Sequence, residues 1–321
     1  MGAIRNPSSQ NRPRPTPASR NRTVCNQRRG GRTVRSHARG VEGSDSERSI
    51  PAENGASAQR RSGLTRTKTV LVKVGIMAQQ SAAVVGGGIM GAGIAQVLAR
   101  NGYEVAVREM NEELADSARE RVISGNYGLK DAVEGGYLSE AEMDGVLERM
   151  TFTTDLEAAT EGTEFVIEAV TEDLAIKGQV FRDLDEVTDD QPLYSNTSGF
   201  AVTSIANAVS DPSRVAVTHF FNPVAVMDMV EIVRAPETDE AVVERAEELV
   251  DELDKTRVTI DDDPGSYGFI ANRCYAAMGE EAQKIVDEGI ATEEQVDKAL
   301  EDGYNLPVGP FSLAGIGEEW D

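Results

Sequence analysis

Short apolar runs alternate with amphipathic segments over most of this 321-residue chain. The runs are rich in β-branched residues, which is typical of buried strands, whereas the segments between them repeat apolar residues at helical spacing. The predicted strands are 82–87, 104–109, 163–170, 191–196, 214–220, 227–233 and 257–260. The predicted helices are 93–102, several charged segments up to about residue 149, 175–187, 202–209 and 239–254. Strands that alternate with helices favour βαβ units and a mainly parallel sheet.

The pattern changes near Asp263. Residues 269–290 and 292–303 form two helical stretches with no strand pattern between them. We therefore predict an α/β domain over residues 77–263 and an all-α C-terminal domain over residues 264–321.

Charge divides the chain into two unlike parts. Of the 32 basic and 55 acidic residues, residues 1–76 hold 16 and 4, which leaves 16 and 51 for residues 77–321. The first part has few large apolar residues, so we predict a disordered basic segment. Three interpretations stay open for it: an organellar transit peptide, an arm that binds nucleic acid, or a stretch outside the native protein, which would then start at Met77. The contrast in charge favours the third.

The acidic part has no apolar run of about 18 residues, so no membrane-spanning helix is expected. Cysteine occurs only at Cys25 and Cys274, which argues against a disulfide framework and a cysteine-based metal site. We expect a cytoplasmic protein without a metal ion. The strong excess of acidic residues predicts an organism with a high-salt cytoplasm, such as a haloarchaeon.

A glycine motif lies between the first predicted strand and the first predicted helix, as Gly86-x-Gly88-x-x-Gly91. Gly86 permits a tight turn, and Gly88 lets the backbone approach a pyrophosphate at the helix N-terminus. Gly91 lets helix and strand pack closely. In this context the motif predicts a Rossmann-type sheet that binds a dinucleotide.

The residue that ends the second predicted strand bears on the choice of dinucleotide. Glu109 lies eighteen residues beyond Gly91, where a carboxylate can accept hydrogen bonds from the ribose hydroxyls of NAD. Its neighbour Arg108 is suited to a 2′-phosphate, but Glu109 would repel that group. The sequence therefore favours NAD over NADP.

Polar residues end two later strands. Asn196, Thr197 and Ser198 follow one strand, and His219 lies near the end of the next. They have an ordinary interpretation, as a helix-capping cluster and a core histidine. However, open α/β sheets bind ligands at the carboxyl ends of their strands, where neighbouring side chains converge. Glu231, twelve residues after His219, is a candidate partner for the imidazole.

Together these motifs resemble the 3-hydroxyacyl-CoA dehydrogenases. The resemblance covers residues 81–316 and rests on the glycine loop continued by Ala-Gly-Ile-Ala-Gln, on Asn-Thr-Ser at 196–198, on His-Phe-Phe-Asn-Pro-Val at 219–224 and on Pro-Val-Gly-Pro-Phe-Ser-Leu at 307–313. Within the family the chain looks closest to the short, single-function 3-hydroxybutyryl-CoA dehydrogenases. The resemblance implies NAD-dependent oxidation of an L-3-hydroxyacyl-CoA to the 3-oxoacyl-CoA, or the reverse, a reaction of fatty-acid β-oxidation.

The resemblance also implies roles for individual residues. His219 matches the catalytic base, and Glu231 matches the carboxylate that orients it. Ser198 matches a serine that contacts the substrate oxygen, and Asn272 matches an asparagine from the helical domain. The implied cofactor-binding residues are Gly86, Gly88, Ile89, Met90, Gly91, Glu109, Glu172, Lys177, Ser198 and Asn222.

The chain departs from the family pattern in two places. The family usually reads Pro-Gly-Phe before the asparagine, whereas residues 264–269 read Pro-Gly-Ser-Tyr-Gly-Phe, an insertion that we expect to shift Asn272. The chain also stops at residue 321, so we expect an incomplete helical domain and a homodimer only where that domain is complete.

Three alternatives stay open. A related dehydrogenase of sugar acids, of the gulonate type, would keep the fold and the hydride chemistry. A catalytically incompetent fragment would bind NAD without turnover. A nucleic-acid-binding protein would use residues 1–76. We rank these below an acyl-CoA dehydrogenase and expect neither nucleic acid nor a membrane as a partner.

Overall fold

The computed structural model describes residues 80–313. The basic segment predicted for residues 1–76 lies outside this range, as do residues 314–321. Among the described residues, eight strands form one sheet in the order β3-β2-β1-β4-β5-β6-β7-β8. The strands are β1 (Ser81–Val85), β2 (Glu104–Arg108), β3 (Met150–Thr153), β4 (Phe165–Glu168), β5 (Leu193–Ser195), β6 (Val215–Phe220), β7 (Met229–Arg234) and β8 (Thr256–Asp261).

The sheet is mainly parallel. Strands β1 to β6 run in one direction, β7 is antiparallel to β6, and β8 is parallel to β7. The chain moves outward from β1 to β3 and then crosses back to β4 on the other side of β1, so the strand order reverses there. Ligands bind at such a reversal, beyond the carboxyl ends of the strands.

Helices cover both faces of the sheet, with bounds α1 (Ile89–Arg100), α2 (Glu112–Ser124), α3 (Leu129–Glu134), α4 (Glu140–Glu148), α5 (Leu156–Thr160), α6 (Leu174–Val187), α7 (Val202–Ala206), α8 (Glu240–Glu252), α9 (Ile270–Asp287) and α10 (Glu293–Tyr304). Alternate residues of β1 enter two different core clusters: Ala82 and Val84 pack with α1 and α8, whereas Ala83 and Val85 pack with α6 and α7. Burial on both faces explains why β1 is apolar from Ala82 to Val85, without the alternation of a one-sided strand.

The structure confirms the predicted fold class and corrects three elements. The charged helical segments predicted before residue 149 are α2, α3 and α4, whereas both β3 and α5 were missed. The helix predicted for 202–209 is shorter, because it ends at Ala206.

The end of the described chain is helical. Beyond β8, residues 262–313 contain helices and turns but no strand. We place the division between the two domains at residue 263 as a proposal, since it lies between β8 and α9. No helix within residues 80–313 has the length and apolar character needed to cross a bilayer.

Candidate active site

The glycine loop joins β1 to α1 and has little room for side chains at two positions. Gly86 has a φ of +97°, and a Cβ there would lie 2.8 Å from the carbonyl oxygen of Ala169. A Cβ on Gly91 would lie only 1.8 Å from the carbonyl oxygen of Gly86. These positions require glycine for the turn and for the close approach of helix and strand.

The loop leaves space for a dinucleotide. Gly88 is the N-cap of α1, and a Cβ on it would meet no atom within 4 Å. The first turn of α1 carries no acidic side chain, so its amides and the helix dipole are available to a phosphate. Glu109 lies beside the loop, where its Oε1 accepts from the backbone N of Gly87 at 2.6 Å. The residues present therefore fit the pyrophosphate and ribose of a dinucleotide.

His219 and Glu231 form a buried pair on neighbouring antiparallel strands. The two residues are directly paired in the register of β6 and β7, and His219 Nδ1 lies 2.8 Å from Glu231 Oε2. Their exposed fractions are 4% and 2%. The rings of Phe221 and Phe269 lie 4.5 and 5.7 Å from the imidazole, between centroids, and restrict water around it.

Helix α9 also contacts the pair. Its Ala271 N donates to the second oxygen of Glu231, Oε1, at 2.9 Å. Burial by itself would raise the pKa of Glu231, but the hydrogen bonds from His219 and Ala271 outweigh it and hold the pKa below its usual value. An ionised Glu231 accepts from Nδ1–H, which leaves Nε2 of the imidazole as the basic nitrogen.

The end of β5 lies against the end of β6. Asn196 Oδ1 accepts from the backbone N of Phe220 at 2.9 Å, which joins the two strand ends. Ser198 follows, and Asn272 Nδ2 donates to its carbonyl oxygen at 3.4 Å, so the insertion before Asn272 does not remove this residue from the site. The alternative that this cluster caps α7 is wrong, since Asp262 accepts from the first amides of that helix.

Glu172 and Lys177 extend the site towards β4. Glu172 Oε1 accepts from Thr197 Oγ1 at 2.6 Å and from Ser198 N at 2.9 Å. Lys177 Nζ lies 3.3 Å from Glu172 Oε2 and 2.8 Å from Glu168 Oε1. Lys177 is 1% exposed, so its ammonium group faces these carboxylates and not solvent.

The turn between β6 and β7 carries Asn222. Lys255 holds this turn, because its Nζ donates to the carbonyl oxygens of Val224 at 2.8 Å and Met227 at 2.7 Å. A cavity of about 150 Å³ separates the turn from α1 and is lined by both Asn222 and Ile89. Met90, by contrast, packs against the core.

Several residues of the site were not predicted from the sequence. Glu168 lies inside an apolar run, and nothing in that run distinguishes it from an ordinary strand-end charge. Phe269 and Lys255 act through contacts with residues far away in the chain, and the Ala271 contact uses a backbone amide, which has no sequence signature. Within residues 80–313, no group of three His, Cys, Asp or Glu side chains is placed to hold a metal ion.

The order of the sheet and the loop at its reversal point belong to the Rossmann-type oxidoreductases, which transfer hydride to or from NAD. Comparison with known families makes this assignment specific. The model of the 3-hydroxyacyl-CoA dehydrogenase NAD binding domain matches residues 81–263, and that of the family's C-terminal domain matches residues 268–316. The chain therefore belongs to the 3-hydroxyacyl-CoA dehydrogenase family, and its cofactor is NAD.

Individual relatives agree with this assignment. The chain is 41% identical over 239 residues to 3-hydroxybutyryl-CoA dehydrogenase of Mycobacterium tuberculosis, which covers 74% of this chain and 82% of that protein. It is 37% identical to a probable 3-hydroxybutyryl-CoA dehydrogenase of Bacillus subtilis, over 72% of this chain and 78% of the relative. The crystal structure of (S)-3-hydroxybutyryl-CoA dehydrogenase from Ralstonia eutropha superposes with a TM-score of 0.70 at 31% identity, over 74% of this chain and 82% of that one.

Proposed function

We propose that the chain oxidises an L-3-hydroxyacyl-CoA, such as 3-hydroxybutyryl-CoA, to the 3-oxoacyl-CoA with NAD, or catalyses the reverse reduction. The observation that carries the proposal is the buried His219–Glu231 pair at the carboxyl edge of the sheet that also carries the glycine loop. The names of the relatives support the acyl-CoA substrate.

In this proposal His219 is the general base. Nε2 removes the proton from the 3-hydroxyl group of the substrate, and NAD, when bound, would supply the acceptor for the hydride from C3. Glu231 fixes the tautomer through Nδ1 and stabilises the imidazolium that forms. The reverse reaction uses the same atoms, with His219 donating its proton to the 3-oxo group.

Ser198 and Asn272 orient the substrate. The Ser198 hydroxyl binds the substrate oxygen, and Asn272 reaches the same loop from α9. On the cofactor side, Glu109 would accept from the adenosine ribose of NAD, and Asn222, in the turn after β6, would help to hold the cofactor. Glu172 holds the Ser198 loop, and Lys177 acts with it by providing the facing positive charge.

The test is reduction of acetoacetyl-CoA by NADH. We expect His219→Ala to lower kcat by a factor of roughly 10²–10⁴, because a positioned acid–base group accelerates the reaction by that factor. The Kd for NADH should stay nearly unchanged. His37→Ala removes the other histidine of the chain and is the matched control. Turnover of gulonate in place of the CoA thioester would favour the sugar-acid alternative, and NADH binding without any turnover would favour the incompetent fragment.

We further infer that the protein works at high salt. Residues 77–321 hold 51 acidic and 16 basic residues, and both NAD and a CoA thioester are anionic. Self-repulsion within such a chain opposes folding, and its field opposes the approach of anionic ligands. Salt at about 1 M shortens the Debye length to roughly 3 Å and removes the long-range part of both effects.

A further inference from the structure

Glu172 is the meeting point of three segments of the chain. Its Oε1 accepts three hydrogen bonds: from Thr197 Oγ1 at 2.6 Å, from Ser198 N at 2.9 Å and from the Tyr267 hydroxyl at 3.1 Å. Thr197 and Ser198 belong to the loop after β5, whereas Tyr267 belongs to the linker between β8 and α9. The carboxylate therefore joins the linker to the loop that carries Ser198.

The other side of Glu172 is held by buried charge. Lys177 Nζ lies 3.3 Å from Oε2 and is anchored in turn by Glu168, which is fully buried. Glu168 also accepts from Ser195 Oγ at 2.6 Å and from Val170 N at 2.7 Å. Because Lys177 and Glu168 hold Oε2 in place, the hydrogen bonds on Oε1 decide how the Glu172 carboxylate is oriented towards the Ser198 loop.

The linker approaches the Ser198 loop closely. Gly268 N donates to the carbonyl oxygen of Gly199 at 3.1 Å, and a Cβ on Gly199 would lie 2.2 Å from Gly268 N. The Tyr267 ring packs edge-on against Phe200, with 5.5 Å between centroids. Backbone contact and ring packing thus dock the linker even without the phenol, so the hydroxyl group is available for a separate task.

We propose that Tyr267 is a positioning residue for Ser198 that acts through Glu172. The proposal rests on the function proposed above, in which Ser198 contacts the substrate oxygen. The phenol donates to Glu172 Oε1 and restricts rotation of the carboxylate, which in turn fixes the amide of Ser198. Burial and the charge of Glu172 raise the pKa of Tyr267 to about 12, so the hydroxyl keeps its donor proton at working pH.

Tyr267→Phe tests the proposal because it removes the hydroxyl and keeps the ring. We expect kcat for acetoacetyl-CoA reduction to fall about three- to tenfold, because the hydrogen bond that orients Glu172 is lost. The Kd for NADH should stay unchanged and the thermal midpoint should change little, because the ring still packs against Phe200 and the backbone contact of Gly268 remains. Tyr137→Phe, at a tyrosine that is 80% exposed, is the matched control and should change none of these quantities.

A double-mutant cycle separates positioning through Glu172 from a general structural role. In a Glu172→Ala background Tyr267→Phe should cause no further loss of kcat, because the acceptor is already gone. Equal losses of kcat in both backgrounds, or a loss explained by the Kd for NADH alone, would overturn the proposal.

Hydrogen exchange gives a readout that does not depend on turnover. The Ser198 amide, which donates to Glu172, should exchange about three- to tenfold faster in Tyr267→Phe than in the wild type or in Tyr137→Phe. An unchanged exchange rate contradicts the positioning role. A wild type that binds NADH but does not reduce acetoacetyl-CoA contradicts the proposed function instead.

Discussion

Glu231→Gln tests the orientation of His219 most directly. The carboxylate accepts one hydrogen bond on each oxygen, from His219 Nδ1 at 2.8 Å and from Ala271 N at 2.9 Å. A glutamine amide of the same shape has one acceptor oxygen and one donor NH₂ group. One of the two donors must therefore lose its acceptor.

Both orientations of the glutamine damage the site. If its oxygen stays on Ala271, its NH₂ group faces Nδ1, so the ring proton moves to Nε2 and the base is blocked. If its oxygen faces His219, the imidazolium loses its counter-charge, and the unpaired Ala271 N–H costs about 1–3 kcal/mol of stability. In either case we expect kcat to fall by roughly 10²–10⁴, the range for a positioned acid–base group.

The assay combines initial rates of acetoacetyl-CoA reduction, from about pH 6 to about pH 9, with titration of NADH by fluorescence. The Kd for NADH should stay unchanged, because the glycine loop is not altered. Glu237→Gln removes an exposed carboxylate in the turn after β7 and is the matched control. A Glu231→Gln protein that kept more than about a tenth of the wild-type kcat would refute the reasoning.

Four further predictions concern the cofactor site, the buried charges and the surface. Glu109→Ala should weaken NADH binding more than NADPH binding, because the lost carboxylate accepts from the 2′-hydroxyl only in NAD; a wild type that prefers NADPH would argue for Arg108 as the recognition residue. Glu168→Gln leaves buried Lys177 with too little counter-charge and should lower the free energy of unfolding, measured in urea, by about 3–5 kcal/mol. Most of this loss should be regained in the double variant that also carries Lys177→Met, and a loss under about 1 kcal/mol would contradict the pairing. Lys255→Met removes two hydrogen bonds to the β6–β7 turn and should lower the free energy of unfolding by about 1.5–3 kcal/mol and raise the KM for NADH. An unchanged KM would show that the turn does not contribute to cofactor binding. Between about 0.1 and about 3 M KCl, the thermal midpoint and the affinity for NADH should both rise, whereas a flat or falling response in both would end the high-salt hypothesis.

The sequence predicts the parts of the fold in which local pattern and burial agree. Strand β1 is apolar from Ala82 to Val85 because both of its faces are buried. Helix α1 is flanked by Gly88 and Gly102 and repeats apolar residues at helical spacing between them. Strand β3 has four residues at the edge of the sheet, and only Met150 among them is buried, so it leaves almost no pattern to detect. The end of α7 is likewise invisible, because apolar residues continue past Ala206 to Val209, which is buried without being helical.

The candidate site also combines residues that the sequence predicts with contacts that it does not. His219 and Glu231 are twelve residues apart on adjoining strands. The short spacing makes Glu231 a candidate partner, and the resemblance to the family implies the pairing. Tyr267 and Glu172 are 95 residues apart and meet only because the linker crosses the loop after β5. A contact of that kind depends on the packing of two loops, so it cannot be predicted from composition or periodicity.

The contact between α9 and Glu231 couples the ionisation of the Glu231 carboxylate to the docking of α9 on the sheet. Thermodynamic linkage is reciprocal: the free energy that the docked Ala271 amide contributes to ionising Glu231 is the free energy that ionised Glu231 contributes to docking. The pKa of Glu231 is lowered from 4.5, so this contribution is complete above about pH 4.5 and is lost as the pH falls through the depressed pKa. Acidification thus weakens the attachment of α9 to the sheet at the same step that removes the counter-charge of His219. Protonation of the Glu231 carboxylate therefore affects both the docking of the helix and the catalytic base.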